Sequence, residues 1–208
     1  MAQHGIKAHE HKLVPLQTRS ERPRSTSISD FAELSNRQEI WRYLPMDRLQ
    51  GLDAEVIGEV SQSELSISLA GTVTASWIDS SEPIVGTAGL PEDRISAIAW
   101  TNASKTLLVE VPADQEIAEP VFLTLKLEEL AAKALHIFVK VGANAKATIV
   151  LDHIGQGLLA ENVEILLEPG AKLDFVSIQD WDNGSSHVSN QLTRLGKDSV
   201  LKHVVVSL

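Results

Sequence analysis

The chain has no cysteine, which removes disulfides, thiolate zinc sites, cysteine nucleophiles and an all-cysteine iron–sulfur site from what its 208 residues can build. Any metal would have to be held by His, Asp or Glu. Positive charge is scarce: 18 Lys and Arg face 28 Asp and Glu, a formal net charge of −10, whereas nucleic-acid binding needs a dense basic surface to neutralise phosphates. No stretch approaches a membrane span in length. The N-terminal MAQHGIKAHEHKLVPL puts histidines, charges and a proline where a signal peptide carries an apolar run, so the expected location is the cytoplasm, without a membrane or nucleic-acid partner. GxxxxGK(S/T) and GxGxxG are both missing, so no phosphate-cradling loop is expected; GTAGL, with Gly86 and Gly89, is short and reads as a turn.

What is present is an apolar fraction of 43%, enough for a packed core. Residues 1–28 mix His, Lys, Arg, Ser and Pro without period and read as a flexible tail. Residues 29–95 read as a helical and mixed region. Within it Ser35 and Gln38 fit a capping box, Pro45 ends or bends the helix that follows, and Trp41, Tyr43, Leu44, Met46 and Leu49 supply an apolar surface to pack on the main body. Residues 96–208 read as β-structure, opening with ISAIAWTNA as a short helix or turn.

The last third holds a near repeat. HIFVKVGANAKATIVLDH, NVEILLEPGAKLDFVSIQ and QLTRLGKDSVLKHVVVSL each show a strand, a turn at Gly142, Gly170 or Gly196, and a second strand. With Ala145, Ala171 and Ser199 as equivalent positions, the repeat length is about 26–28 residues, a period of the kind solenoids show. Ile137, Val139 and Val141 alternate with His136, Phe138 and Lys140, and Val163, Ile165 and Leu167 alternate with Glu164, Leu166 and Glu168. Stacked coils would put the first set of each strand in a shared interior. The glycines suit corners with sharp turns or positive φ. A β-sandwich or jelly roll is the rival; the repeat favours a mainly β chain with a right-handed parallel β-helix, incomplete and open at its C-terminal end. The closing KHVVVSL supplies no cap, so we expect the natural protein to continue or another chain to pair there, and self-association through this last strand.

RQEIWRYLPMDRLQGL resembles a tryptophan-arginine-aromatic, proline and arginine-leucine signature near the start of SufB/SufD family proteins, its SufD branch in particular. VPADQEIAEPVFLTL, VGANAKATIVLDHIG and the stretch from LAENVEILLEPGAKLDFVSIQDW to Leu208 are similar, in order, to that family's β-helix core. The resemblance runs from about Asp30 to Leu208, the N-terminal half of the family pattern. It implies a non-catalytic scaffold in iron–sulfur cluster assembly, working with a SufB-like subunit and a SufC-like ATPase. A cluster would sit only transiently on the assembled complex, with no cofactor on this chain; a flavin is left open. The lack of cysteine departs from SufB and agrees with SufD. The family's C-terminal helices and interface histidine fall outside this sequence and are not carried over.

Two other functional readings remain at this point: a carbohydrate-active β-helix enzyme using Asp174, Asp180 and Asp182 around Trp181, and a cytoplasmic β-solenoid adaptor unrelated to iron–sulfur chemistry. Against the first, DWDNGSS reads as a turn. His4, His9 and His11 read as solvated tail residues. Asp152 and His153 are strand neighbours pointing to opposite faces, poorly placed to act together. The sequence therefore assigns no catalytic, cofactor-binding or metal-binding residue.

Overall fold

A computed structural model describes residues 23–208. The histidines at positions 4, 9 and 11 and most of the expected tail lie outside the described residues. In the remainder of that tail, the Ser25 amide donates to the Pro91 carbonyl and Arg24 pairs with Glu92.

The described chain forms nine strands and one α-helix: β1 (Gly58–Glu59), β2 (Leu65–Ser68), β3 (Thr74–Asp79), α1 (Arg94–Asn102), β4 (Lys105–Val111), β5 (Val121–Val141), β6 (Lys146–Leu167), β7 (Lys172–Trp181), β8 (Ser186–Leu195) and β9 (Val200–Ser207). From β4 onward every pairing between successive strands is parallel, which builds a β-solenoid of about four turns. This is the coil architecture that the repeat predicts. The long strands β5 and β6 each bend midway and serve both walls. The first wall stacks 121–128, 146–155, β7 and β9; the second stacks β4, 132–141, 158–167 and β8. At the opposite end from β9, β2 and β3 pair antiparallel with β5 and β4 and close both walls.

The turn between the second wall and the next coil is where sequence and structure differ instructively. The position that takes a left-handed backbone is occupied by Asp114 (φ 58°), Asn144 (φ 57°), Gly170 (φ 74°) and Asp198 (φ 58°) in successive coils. Asp and Asn tolerate this conformation better than other side chains. Gly142 and Gly196, expected to play the same part as Gly170, sit two residues earlier and do not share its positive φ. They are glycines because the adjacent coil passes too close: a Cβ on Gly142 would lie 2.5 Å from the Ala113 nitrogen, and one on Gly196 2.7 Å from the Glu168 carbonyl carbon.

Ile137, Val139, Val141, Val163, Ile165 and Leu167 fill the interior as their alternation predicts, all fully buried. The opposite face of the second wall is also covered. There Leu158 and Ala160 pack with Ile95 and Ala99 of α1, and with Leu49 and Leu52 of the N-terminal region. The Asp93 carboxylate caps α1 by accepting from the Ser96 amide at 2.9 Å.

Trp41, Leu44, Met46 and Leu49 join this second core, but Tyr43 does not: it is 88% exposed. The expected capping box at Ser35 and Gln38 is not made either. The local helix is a single 3₁₀ turn, Glu39–Trp41, and the Gln38 side chain donates to the Glu33 carbonyl instead. Asn36 bridges the Trp41 and Leu44 carbonyls and folds the segment into a tight loop, while Pro45 separates that turn from a second one at Met46–Leu49.

Candidate functional site

The solenoid interior changes character along its axis. In the first-wall file the register places Leu125, His153, Gln179 and Ser207 one above another, and beside them Leu123, Leu151, Ser177 and Val205. In the second-wall file Leu135, Glu161 and Ser189 align, as do Ile137, Val163 and Gln191. One coil is lined by leucine and isoleucine, the next carries a single imidazole and carboxylate, and the third is mostly polar. A polar column thus rises inside an otherwise apolar rod.

His153, Glu161 and His187 form the centre of that column, brought together from the two halves of β6 and from β8. His153 and Glu161 are completely buried, and the His187 side chain keeps 8% of its exposure. His153 Nε2 lies 3.0 Å from Glu161 Oε1, and His187 Nε2 lies 3.3 Å from Glu161 Oε2. The Ser189 hydroxyl donates to Oε2 at 2.9 Å.

The second nitrogen of each ring is fixed by an acceptor. His153 Nδ1 donates to the Ile178 carbonyl at 2.9 Å. His187 Nδ1 faces Gln179 Oε1, and the identity of that oxygen is settled by the Trp181 indole, a pure donor, which reaches the same atom at 3.1 Å. Both Nδ1 atoms therefore carry protons, and both Nε2 atoms aim at one carboxylate. His187 Nε2 has no hydrogen-bond partner despite being buried: its approach to Glu161 meets the distance for an ion pair but not the geometry of a hydrogen bond.

The electrostatics follow from this packing. Burial opposes charge on His153, but the Glu161 carboxylate outweighs it and raises the imidazole above its ordinary value. Burial likewise favours a neutral Glu161, yet the two histidines hold its carboxyl well below the usual range. His187 is pushed down, first by burial and then by the neighbouring His153 charge. The geometry is that of a hydrogen-bonded imidazole–carboxylate pair beside a second imidazole whose Nε2 has no partner. The His153, His187 and Trp181 rings lie against one another, with centroids 4.6 to 5.8 Å apart. A cleft bordered by Gln179, Trp181, His187, Ser189, Val205 and Ser207 lies between the cluster and β9, with His187 its one member from the cluster.

A second buried pair lies on the opposite face of the same wall. His136 Nε2 is 3.1 Å from Glu164 Oε1, and Trp100 of α1 lies over the His136 ring. Glu164 also accepts from the Gly86 and Ala88 amides at 2.8 to 3.0 Å. The GTAGL turn therefore does wrap an anion with its backbone, but the anion is the chain's own carboxylate.

Other acids considered from the sequence do not converge. Asp174, Asp180 and Asp182 are all exposed, and Asp182 opens the turn that joins β7 to β8. Asp152 and His153 do point to opposite faces, but His153 finds its acid eight residues later, across the bend of β6. Sequence reasoning missed Glu161 and His187 because their partnership depends on register between coils. A single signal was available: under a repeat of 26–28 residues, Leu125, His153 and Gln179 align, and so do Leu135, Glu161 and Ser189.

No helix among the described residues is long and apolar enough to cross a membrane. Residues 124–208 match the domain described as SUF system FeS cluster assembly, SufBD core domain. The chain is 34% identical, over 185 residues, to an iron–sulfur cluster assembly SufBD family protein of Mycobacterium tuberculosis; the match covers 88% of this chain and 47% of that protein. An iron–sulfur cluster assembly SufBD family protein of Mycobacterium leprae is 32% identical over 186 residues, again 88% of this chain and 47% of the relative. The chain thus spans about half the length of the curated relatives it matches. The buried cluster lies within the matched core.

Proposed function

The core-domain match and these relatives support membership of the SufB/SufD family, and on that premise we propose that the chain is part of a non-catalytic scaffold for iron–sulfur cluster assembly in the cytoplasm. It pairs with a SufB-like subunit and a SufC-like ATPase, and the cluster is cargo of the assembled complex. The observation that carries this reading is the coincidence of the matched residues, 124–208, with the stacked parallel coils from β5 to β9. The SufD branch is favoured within the family because a chain without cysteine offers no thiolate to a nascent cluster.

The test is co-expression of the tagged full-length form with the SufB-like and SufC-like proteins of the same organism, followed by size-exclusion chromatography. Co-elution of all three supports the reading, and failure to retain either partner overturns it. Disruption of the gene separates this function from that of an unrelated adaptor: activities of cluster-dependent enzymes fall in the first case and are unchanged in the second.

A further inference from the structure

We propose that His153, Glu161 and His187 form a mononuclear site for a divalent first-row transition-metal ion, bound through the two Nε2 atoms and the carboxylate. Their donor atoms all lie within 4.8 Å of one another. Two imidazoles and one carboxylate suit zinc or ferrous iron, and three protein ligands leave a coordination position for water or an incoming group.

The spacing already approximates a coordination sphere. Ligands about 2.0–2.1 Å from a tetrahedral ion are about 3.3 Å from one another. The two nitrogen–oxygen separations here are 3.0 Å to Oε1 and 3.3 Å to Oε2, and the three donor groups lie within 4.8 Å of one another, so an ion would draw the two rings together about the one carboxylate.

The surroundings of the rings point the same way. Ligating histidines characteristically donate their other N–H to a carbonyl or carboxylate, which fixes the tautomer and aims the lone pair. Ile178 serves His153 in this manner, and Gln179 serves His187. Gln179 is itself held by the Trp181 indole and donates onward to the Ser177 hydroxyl. The buried, unpartnered Nε2 of His187 is the feature an ion pair alone does not account for. A structural pair of His153 and Glu161 needs no second imidazole, and an idle buried acceptor carries a desolvation cost. The cleft lined by Gln179, Trp181, His187 and Ser189 borders the cluster on its His187 side. This inference does not depend on the assembly reading, since binding of an ion is measured on the chain alone.

The experiment uses the whole chain, stripped with chelator and titrated with Co²⁺ as a spectroscopic probe. To remove binding by the N-terminal histidines, the background protein carries His4→Gln, His9→Gln and His11→Gln. One equivalent of Co²⁺ giving the strong visible bands of four- or five-fold coordination is the expected result, with Zn²⁺ and, anaerobically, Fe²⁺ displacing it in arms that rank the two ions. Glu161→Gln and His187→Gln each weaken binding at least tenfold. Gln179→Leu leaves all three ligands in place and also weakens it by roughly tenfold, the loss typical of removing an outer-shell partner. It serves as the reporter if a ligand variant fails to fold by circular dichroism. The proposal is overturned if the background protein binds no Co²⁺, if it shows only the weak spectrum of the hexahydrated ion, or if affinity survives in the folded variants.

Discussion

Leu125 and His153 are register partners on the inner face of neighbouring coils, so one step along the solenoid replaces an alkyl side chain by a buried imidazole. Across the interior, Leu135 and Glu161 make the same exchange. The two substitutions belong together, because each supplies the other's buried hydrogen-bond partner.

That pairing predicts a non-additive stability series. In chelator-treated protein, His153→Leu leaves Glu161 Oε1 buried without its hydrogen-bond partner and lowers stability by about 3–5 kcal/mol. The double variant His153→Leu/Glu161→Leu restores the leucine pair of the preceding coil and recovers most of the loss. Urea denaturation of both variants measures this, and equal destabilisation by the single and double changes would count against it.

A second prediction concerns pH at the closed end of the rod. Lys133 Nζ lies 2.6 Å from Glu64 Oε1, and the Ser61 amide donates to Glu64 Oε2 at 2.8 Å. Burial opposes charge on Glu64, but Lys133 and Ser61 together hold its carboxyl below the ordinary 4.5. Lys133 is likewise raised above 10.5, with Glu64 and Glu129 outweighing burial. A carboxyl with a lowered value adds stability above its unfolded pKa and loses it as pH falls through the folded one. A raised lysine adds stability below its unfolded pKa and loses it as pH rises through the folded one. Coupling between Glu64→Gln and Lys133→Met should therefore form a plateau from about pH 5 to 10, of at most about 1 kcal/mol, and fade in acid. A double-mutant cycle at pH 7 and pH 3 checks the sign.

The two roles of the turn residues are separable by substitution. Gly142→Ala drives a Cβ against the Ala113 backbone and lowers stability by roughly 1–3 kcal/mol. Asp198→Gly relieves a left-handed side-chain residue and changes stability by no more than about 0.5 kcal/mol in either direction. Thermal or denaturant midpoints of the two variants give the comparison.

Glu164 anchors the loop before α1. Its replacement by alanine leaves the Gly86 and Ala88 amides without their acceptor and costs about 1.5–3 kcal/mol. Amide hydrogen exchange should accelerate at those two positions while β5 amides remain protected. Unchanged exchange at Gly86 and Ala88 would contradict the anchoring role.

The coil period and the interior set were legible because strand alternation and a constant repeat are local, one-dimensional signals. Ile137, Val139 and Val141 show it in one coil, and Val163, Ile165 and Leu167 in the next. The buried acids were not legible, since Glu161 and Glu164 resemble solvent-facing residues in any window of β6. What makes them interior is the presence of His153 and His187 on one side, and of α1 with the Gly86 turn on the other. Gly142 was assigned to the right turn for a different reason from the one that holds, because close approach of a neighbouring coil leaves no mark in the residues around it. The predicted box at Ser35 and Gln38 failed because the Ser35 hydroxyl accepts from the Arg37 amide and the Gln38 side chain turns away to donate to the Glu33 carbonyl.

The gradient from leucine to polar lining has a consequence for how the chain is made. Synthesis delivers the closing strands β2 and β3 and the leucine-lined coil before the imidazole and carboxylate, so the nascent chain can collapse a dry nucleus at the ribosome first. Each later rung, with fewer alkyl groups of its own, is then laid on a finished edge that fixes its register.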